Sequence, residues 1–272
     1  MTAQRVLPFF LLTLVFALPF WVFGPAAERW LDLALPIRLP LSALMIVCPF
    51  AAALIVTARE RGGTGVRALL ARIGDWRVAR GPLWIAAAAT LMPAALALSW
   101  VAMVLAGRPL PEPAIDLAAI PVFLALFLVS GTLEEVGWQA VASERLQTRM
   151  SALAAALAVG GFWSAWHIVP YLQTGNGVVW VAWHCAVTVL LRVLTLWLAN
   201  ASGGSLFVAI VFHAFCNVAY FLFPNYGSAY DPMTAALVLA PLTALVVWLW
   251  GPQTLARWRF ARSGHGPGRP SS

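Results

Sequence analysis

The sequence predicts an all-α polytopic membrane protein with about eight transmembrane helices and both termini in the cytoplasm. Three observations carry that reading. First, 62% of the 272 residues are hydrophobic, only 10% are charged and the mean hydropathy is +0.85. A soluble domain carries about 25% charged residues, so a bilayer must be the solvent of this chain. Second, the apolar residues gather in runs close to the roughly 20 residues that a helix needs to cross the hydrocarbon core. Third, the arginines collect in alternate loops, as the charge rule for membrane orientation requires.

Taken in order, the runs are residues 6–23, 39–58, 82–105, 117–143, 151–172, 178–199, 205–223 and 233–250. The first exceeds the apolar core of a secretory signal and ends in Gly24-Pro25 without a small-residue cleavage site, so it is read as retained. All 17 basic residues are arginines. With a cytoplasmic N-terminus, Arg5, the second-loop group from Arg59 to Arg80, Arg145, Arg149 and the four arginines from Arg257 onward lie inside. Only Arg29, Arg38 and Arg108 lie outside, and Arg192 falls within a span. In the second loop, Val66, Leu69, Leu70, Ile73 and Trp76 recur at helical spacing, which predicts an amphipathic helix resting on the inner leaflet. The chain thus divides into a helical membrane domain, 1–252, and a basic, largely disordered cytoplasmic tail, 253–272, in which the Gly, Pro and Ser content of Ser263 to Ser272 predicts disorder.

Composition also excludes several functions. The formal charge of +7 resides in loops with no basic and aromatic face, so nucleic acid is not an expected partner. Cys48, Cys185 and Cys216 stand at irregular spacing in apolar runs, which predicts neither a disulfide framework nor a zinc ribbon.

The informative residues are the polar ones inside the runs. An ionisable group at mid-membrane costs about 2.5–3.5 kcal/mol on insertion scales, so it requires a partner and usually marks a function. The fourth run holds Glu134-Glu135-Val136-Gly137-Trp138-Gln139. Adjacent helical residues differ by about 100°, so the two acids are expected to serve different purposes, one facing a reaction centre and one a structural partner. The fifth run places Trp163 one turn before His167, and the seventh places His213 one turn before Asn217. Three helices are therefore expected to converge on Glu134, Glu135, His167, His213 and Asn217. In the sixth run His184, Thr188 and Arg192 form one polar stripe. Arg192 is read as either a partner for Glu135 or a side chain reaching back to the cytoplasmic interface.

These stretches, in this order, resemble the signature of the CPBP intramembrane proteases, which include type II CAAX prenyl endopeptidases and Abi bacteriocin-immunity proteins. The pattern is two glutamates, three residues and an arginine; then phenylalanine, three residues and histidine; then histidine, three residues and asparagine or aspartate. The resemblance covers residues 117–223 and departs from the pattern twice. Gln139 stands where the family has arginine and Trp163 where it has phenylalanine. The first departure removes a cation that Arg192 is placed to replace.

The resemblance implies hydrolysis of a peptide bond in a membrane-associated protein or peptide. A carboxylate stripped of water among apolar helices is a stronger base, and Glu134 takes that role with His167 on the same water. His213 and Asn217 then stabilise the oxyanion, and Glu135 supports them. Gln139, Trp163, His184 and Arg192 are the supporting set. Glu134, His167 and His213 also suit a zinc ion with an open water position, so the expected cofactor is either none or zinc. Two other functions suit the same residues: a non-catalytic immunity or binding protein, and a transporter relaying protons through Glu134, His167 and His213. Arginine-only, alanine-rich usage points to a GC-rich bacterial genome and an inner membrane, where prenylated CAAX proteins are not expected.

Overall fold

The computed structural model describes residues 6–28 and 40–260, and among them the secondary structure is entirely helical. The helices are α1 (Leu7–Glu28), α2 (Val47–Ala71), α3 (Pro82–Leu105), α4 (Ile120–Gly137), the short α5 (Glu144–Gln147), α6 (Ala152–Gln173), α7 (Val178–Ala201), α8 (Leu206–Leu222) and α9 (Pro232–Trp250). A 3₁₀ turn, Leu41–Ile46, leads into α2, and a π-helical turn, Trp138–Ser143, joins α4 to α5 without a break. Seven of these stretches are long and apolar enough to cross a membrane, and α8 is a shorter apolar helix. All eight expected runs are therefore helices, and the chain is a multi-pass membrane protein. Arg5, Arg29 and Arg38 lie outside the described residues.

The shortness of α8 follows from its position. It packs against both α3 and α4, and residues 208–214 are buried without interruption. A helix enclosed by protein needs no match to the full lipid thickness. Around it α6 packs on α7, α7 on α9, α2 on α4 and α1 on α2.

With no hydrophobic force between helices in lipid, small residues permit the closest approaches. A β-carbon on Gly131 would stand 3.1 Å from the Ile210 carbonyl oxygen of α8 and 3.4 Å from the His213 β-carbon. One on Gly160 would stand 3.1 Å from the Arg192 β-carbon of α7. Gly137 is tighter still, at 2.8 Å from both the β-carbon and the carbonyl oxygen of Pro49. Gly137→Ala is expected to force α2 off α4 and to cost about 1–3 kcal/mol, read as a lowered thermal midpoint in detergent.

Ion pairs hold the two ends. At the arginine-rich end Arg145 chelates Glu60 through two bonds of 3.0 and 2.8 Å, and Arg72 reaches Glu144. At the opposite end Arg108 meets Asp231 at 2.6 Å, and the Tyr226 hydroxyl donates to Asp116 at 2.8 Å. Asp231 also caps α9 by accepting from the backbone N–H of Thr234. Burial acts to raise its pKa, but the Thr234 hydroxyl and N–H and the Arg108 guanidinium outweigh it and hold the carboxyl below its usual range. A depressed carboxylate stabilises the fold above its unfolded pKa of about 3.9 and loses that contribution as pH falls through the folded value. The stability gap between the protein and Asp231→Asn, which keeps a capping side chain, is therefore expected to be present at neutral pH and to close below about pH 4. Thermal unfolding across pH reads it, and because the pair is partly exposed the gap should stay within about 1 kcal/mol.

One sequence expectation holds in part and another requires correction. The second-loop helix is present: the span ends in a kink at Gly62, whose φ of 64° and ψ of −165° are non-helical and suit glycine, and a second helical stretch runs from there to Ala71. Its stripe is split, with Leu69 buried in the protein core while Trp76, in its own 3₁₀ turn, stays 56% exposed. The segment read as the start of a disordered tail is folded as far as residue 260. Leu255 is fully buried, and the carbonyls of Pro252 and Gln253 accept from Leu153 and Ala152 at the start of α6. The rest of that tail, 261–272, lies outside the described residues. The turn Asn200-Ala201-Ser202-Gly203 belongs to the same end, where Asn200 donates to Gln147 and Thr254.

Candidate active site

The site begins where α4 changes its winding. The π turn after Gly137 opens the helix by one residue, and the Ser143 hydroxyl donates to the Trp138 carbonyl five residues back at 2.7 Å. Such bulges are frequent at functional positions, and this one directly follows the two acids. Glu134 is 3% exposed and Glu135 is fully buried. Their differing directions around α4 give them different surroundings.

Glu135 points at α7. Arg192 donates to its two oxygens through both terminal nitrogens, at 2.8 and 2.5 Å, and His213 Nδ1 bonds its Oε1 at 2.8 Å. Arg192 is itself 0% exposed, so it does not reach back to the interface. Its guanidinium lies over the Trp163 ring, 4.7 Å from the centroid, and its Nε has no partner among the described residues. The bidentate geometry and the flat aromatic surface both suit arginine rather than lysine.

Glu134 has no cation of that kind. Its Oε2 accepts from two indole N–H groups, Trp163 at 2.8 Å and Trp138 at 3.2 Å. Its Oε1 faces His213 Nε2 at 3.6 Å, beyond a normal hydrogen bond. His213 thus stands between the two acids, its Nδ1 held by Glu135 and its Nε2 turned toward Glu134. The carboxylate partner at Nδ1 assigns the hydrogen to that nitrogen.

Trp163 joins the remaining parts. Its carbonyl is 2.9 Å from His167 Nδ1, which therefore donates and leaves His167 Nε2 as the free lone pair. The His167 ring is clamped by Trp166 edge-on at 4.8 Å and by Tyr171 stacked at 5.4 Å. His167 and Asn217 are both only partly buried. Asn217, one turn beyond His213, makes no side-chain hydrogen bond among the described residues.

The supporting residues divide. Trp163 and Arg192 touch the acids directly. Gln139 is 2% exposed, its amide oxygen has no partner among the described residues, and it makes no bond to Glu135. His184 stands outside the acid pair. It stacks on Trp180 at 4.8 Å and meets the edge of Tyr171 at 4.6 Å, so it approaches His167 only through Tyr171. Sequence reasoning missed Trp138 and Tyr171, although each stands four residues after Glu134 and His167 respectively, and that spacing is the signal that finds them.

The donor set also bears on a metal. Among the described residues no three His, Cys, Asp or Glu side chains are grouped so as to hold an ion. Oε2 of Glu134 is taken by two indoles, and Nδ1 of each histidine is held by an acceptor. Of the set that sequence reasoning offered to zinc, Glu134 Oε1 and the Nε2 atoms of His167 and His213 are therefore the atoms that would hold an ion, with the Nδ1 hydrogens bonded as zinc-ligating histidines require.

Known proteins resemble this region. Residues 116–219 match the family model described as type II CAAX prenyl endopeptidase Rce1-like, a stretch that runs from the approach to α4 almost to the end of α8. Over 108 residues the chain is 31% identical to the CAAX prenyl protease 2 of Methanococcus maripaludis, covering 36% of this chain and 39% of that protein. The match thus spans about two fifths of that relative's length. The family-model match, residues 116–219, includes every residue named above as touching Glu134 or Glu135.

Proposed function

We propose that the protein is an intramembrane endopeptidase that hydrolyses a peptide bond of a membrane-associated protein or peptide, with Glu134 as the base that activates water. The observation that carries this reading is the asymmetry of the two acids. Arg192 neutralises Glu135, whereas Glu134, equally buried, receives only neutral indole donors and a histidine edge. A buried carboxylate without a cation is costly as a structural element and useful as a base. The likeness of residues 116–219 to prenyl endopeptidases supports the same reaction class.

In this reading Glu134 Oε1 takes a proton from a water that His167 Nε2 helps to orient. The hydroxide adds to the scissile carbonyl, and the resulting oxyanion accepts hydrogen bonds from the Asn217 amide and from His213 Nε2, which carries a hydrogen of its own when the ring is doubly protonated between Glu134 and Glu135. Asn217, partly exposed and without a side-chain partner among the described residues, is free to turn to a substrate. Glu134 then returns its proton to the leaving amine. The proposed chemistry needs no metal, and full activity of chelator-treated protein is the expected result; loss on chelation with recovery on zinc would reverse it.

Comparing membrane proteomes of cells carrying the protein or Glu134→Ala tests the function as a whole. A membrane protein that accumulates uncleaved in the variant is expected, and identical proteomes would sink the proposal.

Trp163 supplies a finer expectation. Trp163→Phe keeps the ring under Arg192 and the backbone carbonyl for His167, but deletes the 2.8 Å donor to Glu134. A hydrogen bond to a charged group contributes about 1.5–3 kcal/mol, so kcat should fall about tenfold to a hundredfold with KM unchanged. Steady-state kinetics on a substrate found by the proteome comparison measures it.

A further inference from the structure

Away from the acids, a groove of about 750 Å³ runs between α7 and α9 and opens at the arginine-rich end of the bundle. Its deeper wall is apolar, formed by Leu190, Ala240 and Ala244. Its rim is different in kind: Trp248 and Trp258 stand beside Arg257 and Arg259. The wall from Ala240 to Gly251 is about 16 Å long at helical rise, close to half of the roughly 30 Å hydrocarbon core. The groove therefore has the depth of one leaflet, greasy toward mid-membrane and cationic at the cytoplasmic surface.

The rim is built by ordered backbone. Gly251, with φ of 72°, turns the chain back, and buried Leu255 pins the returning segment by donating to the Gly251 carbonyl at 3.0 Å. Arg259 N–H then donates to the Leu249 carbonyl at 2.7 Å. Two of the end carbonyls of α9 are thus occupied, Val247 by the Gly251 N–H at 2.9 Å and Leu249 by that of Arg259, and the two arginines supply the cations that a helix C-terminus favours.

Both arginines keep their hydrogen-bonding capacity. Arg259 lies over the Trp248 ring at 4.9 Å, a contact that uses the face of the guanidinium and leaves its in-plane N–H groups free. Arg257 is exposed and has no carboxylate partner among the described residues. Inside the groove Thr243 is 5% exposed, yet its hydroxyl has no partner among the described residues. A helical threonine ordinarily donates to the carbonyl four residues earlier, so this hydroxyl is a polar contact left open to an occupant.

We infer that this groove binds one anionic phospholipid, with its phosphate on Arg257 and Arg259 and an acyl chain along Leu190, Ala240 and Ala244. Basic pockets between helices on the cytoplasmic side recognise lipid headgroups in this manner, and arginine suits phosphate through paired donors. The site is independent of the proposed hydrolysis, because none of its residues touches Glu134 or Glu135.

The test uses the full chain, purified and delipidated in a nonionic detergent, with binding and thermal unfolding measured against phosphatidylglycerol, phosphatidylcholine and inorganic phosphate. Phosphatidylglycerol is expected to bind and to raise the midpoint, and phosphatidylcholine to do so more weakly. Inorganic phosphate, lacking the chain, should have no effect. Arg257→Gln with Arg259→Gln should weaken phosphatidylglycerol about 30-fold while leaving the midpoint in phosphatidylcholine unchanged, which also shows that the variant folds. Should the double variant fail to fold, native mass spectrometry of the unaltered protein still decides, by whether phosphatidylglycerol is retained over phosphatidylcholine. Equal response to the two lipids, unchanged affinity in the double variant, or a full effect from phosphate alone would overturn the inference.

Discussion

Glu134→Gln is expected to lower the rate of peptide hydrolysis by about 10²–10⁴-fold, the usual contribution of a positioned general base. The substitution keeps the side chain's shape, and its amide oxygen can still accept from the Trp138 and Trp163 indoles. What it removes is the ability to take a proton from water. The thermal midpoint should hold, since no cation in the structure is left unpaired by neutralising Glu134. Initial rates on a peptide drawn from the accumulated membrane substrate, together with unfolding curves, separate the two quantities. A variant that hydrolyses at the full rate removes Glu134 from the chemistry. The same substitution discriminates the competing functions: a binding or immunity protein should be indifferent to it, and a transporter should lose proton-coupled flux instead.

Much of this arrangement was legible before any coordinates, for reasons that differ between parts. The spans were readable because each apolar run must satisfy its backbone internally, which in a membrane leaves only helices here. The pair Arg192–Glu135 was readable because a charge in an apolar run needs an opposite charge, and the family's arginine position holds Gln139. The position of Trp163 was readable from its turn spacing to His167, but its indole bond to Glu134 was not, since the crossing of α4 and α6 depends on how Gly131 and Gly160 let α8 and α7 approach. The π turn escaped for a related reason. Nothing in the string Trp138-Gln139-Ala140 differs from an ordinary helix, and the extra residue is a product of packing against α2 and α6. His184 shows the opposite failure, a stripe position that suggested a polar network and proved to sit among aromatic rings.

Arg192→Met is expected to be the most destabilising single change at the site, at about 3–5 kcal/mol, because it leaves the Glu135 carboxylate buried without its cation. Burial sets this size: both side chains are 0% exposed, so water cannot replace the lost partner. The pair as a unit is worth much less. Two desolvated charges mostly repay their own transfer, and replacing both by apolar groups of similar volume is often neutral. Arg192→Met with Glu135→Leu should therefore recover most of the lost stability, giving a coupling of at least about 2 kcal/mol in a double-mutant cycle measured by unfolding in detergent. Additive single effects would show that the pair carries no mutual energy. Activity should not recover with the fold. His213 Nδ1 bonds Glu135 Oε1 in the intact site, and without that acceptor the ring loses the bond that aims Nε2 toward Glu134. A folded but inactive double variant would thus separate the two jobs of Glu135, neutralising Arg192 and orienting His213, and would place the chain's own cation in α7 in the position of a structural requirement for its chemistry.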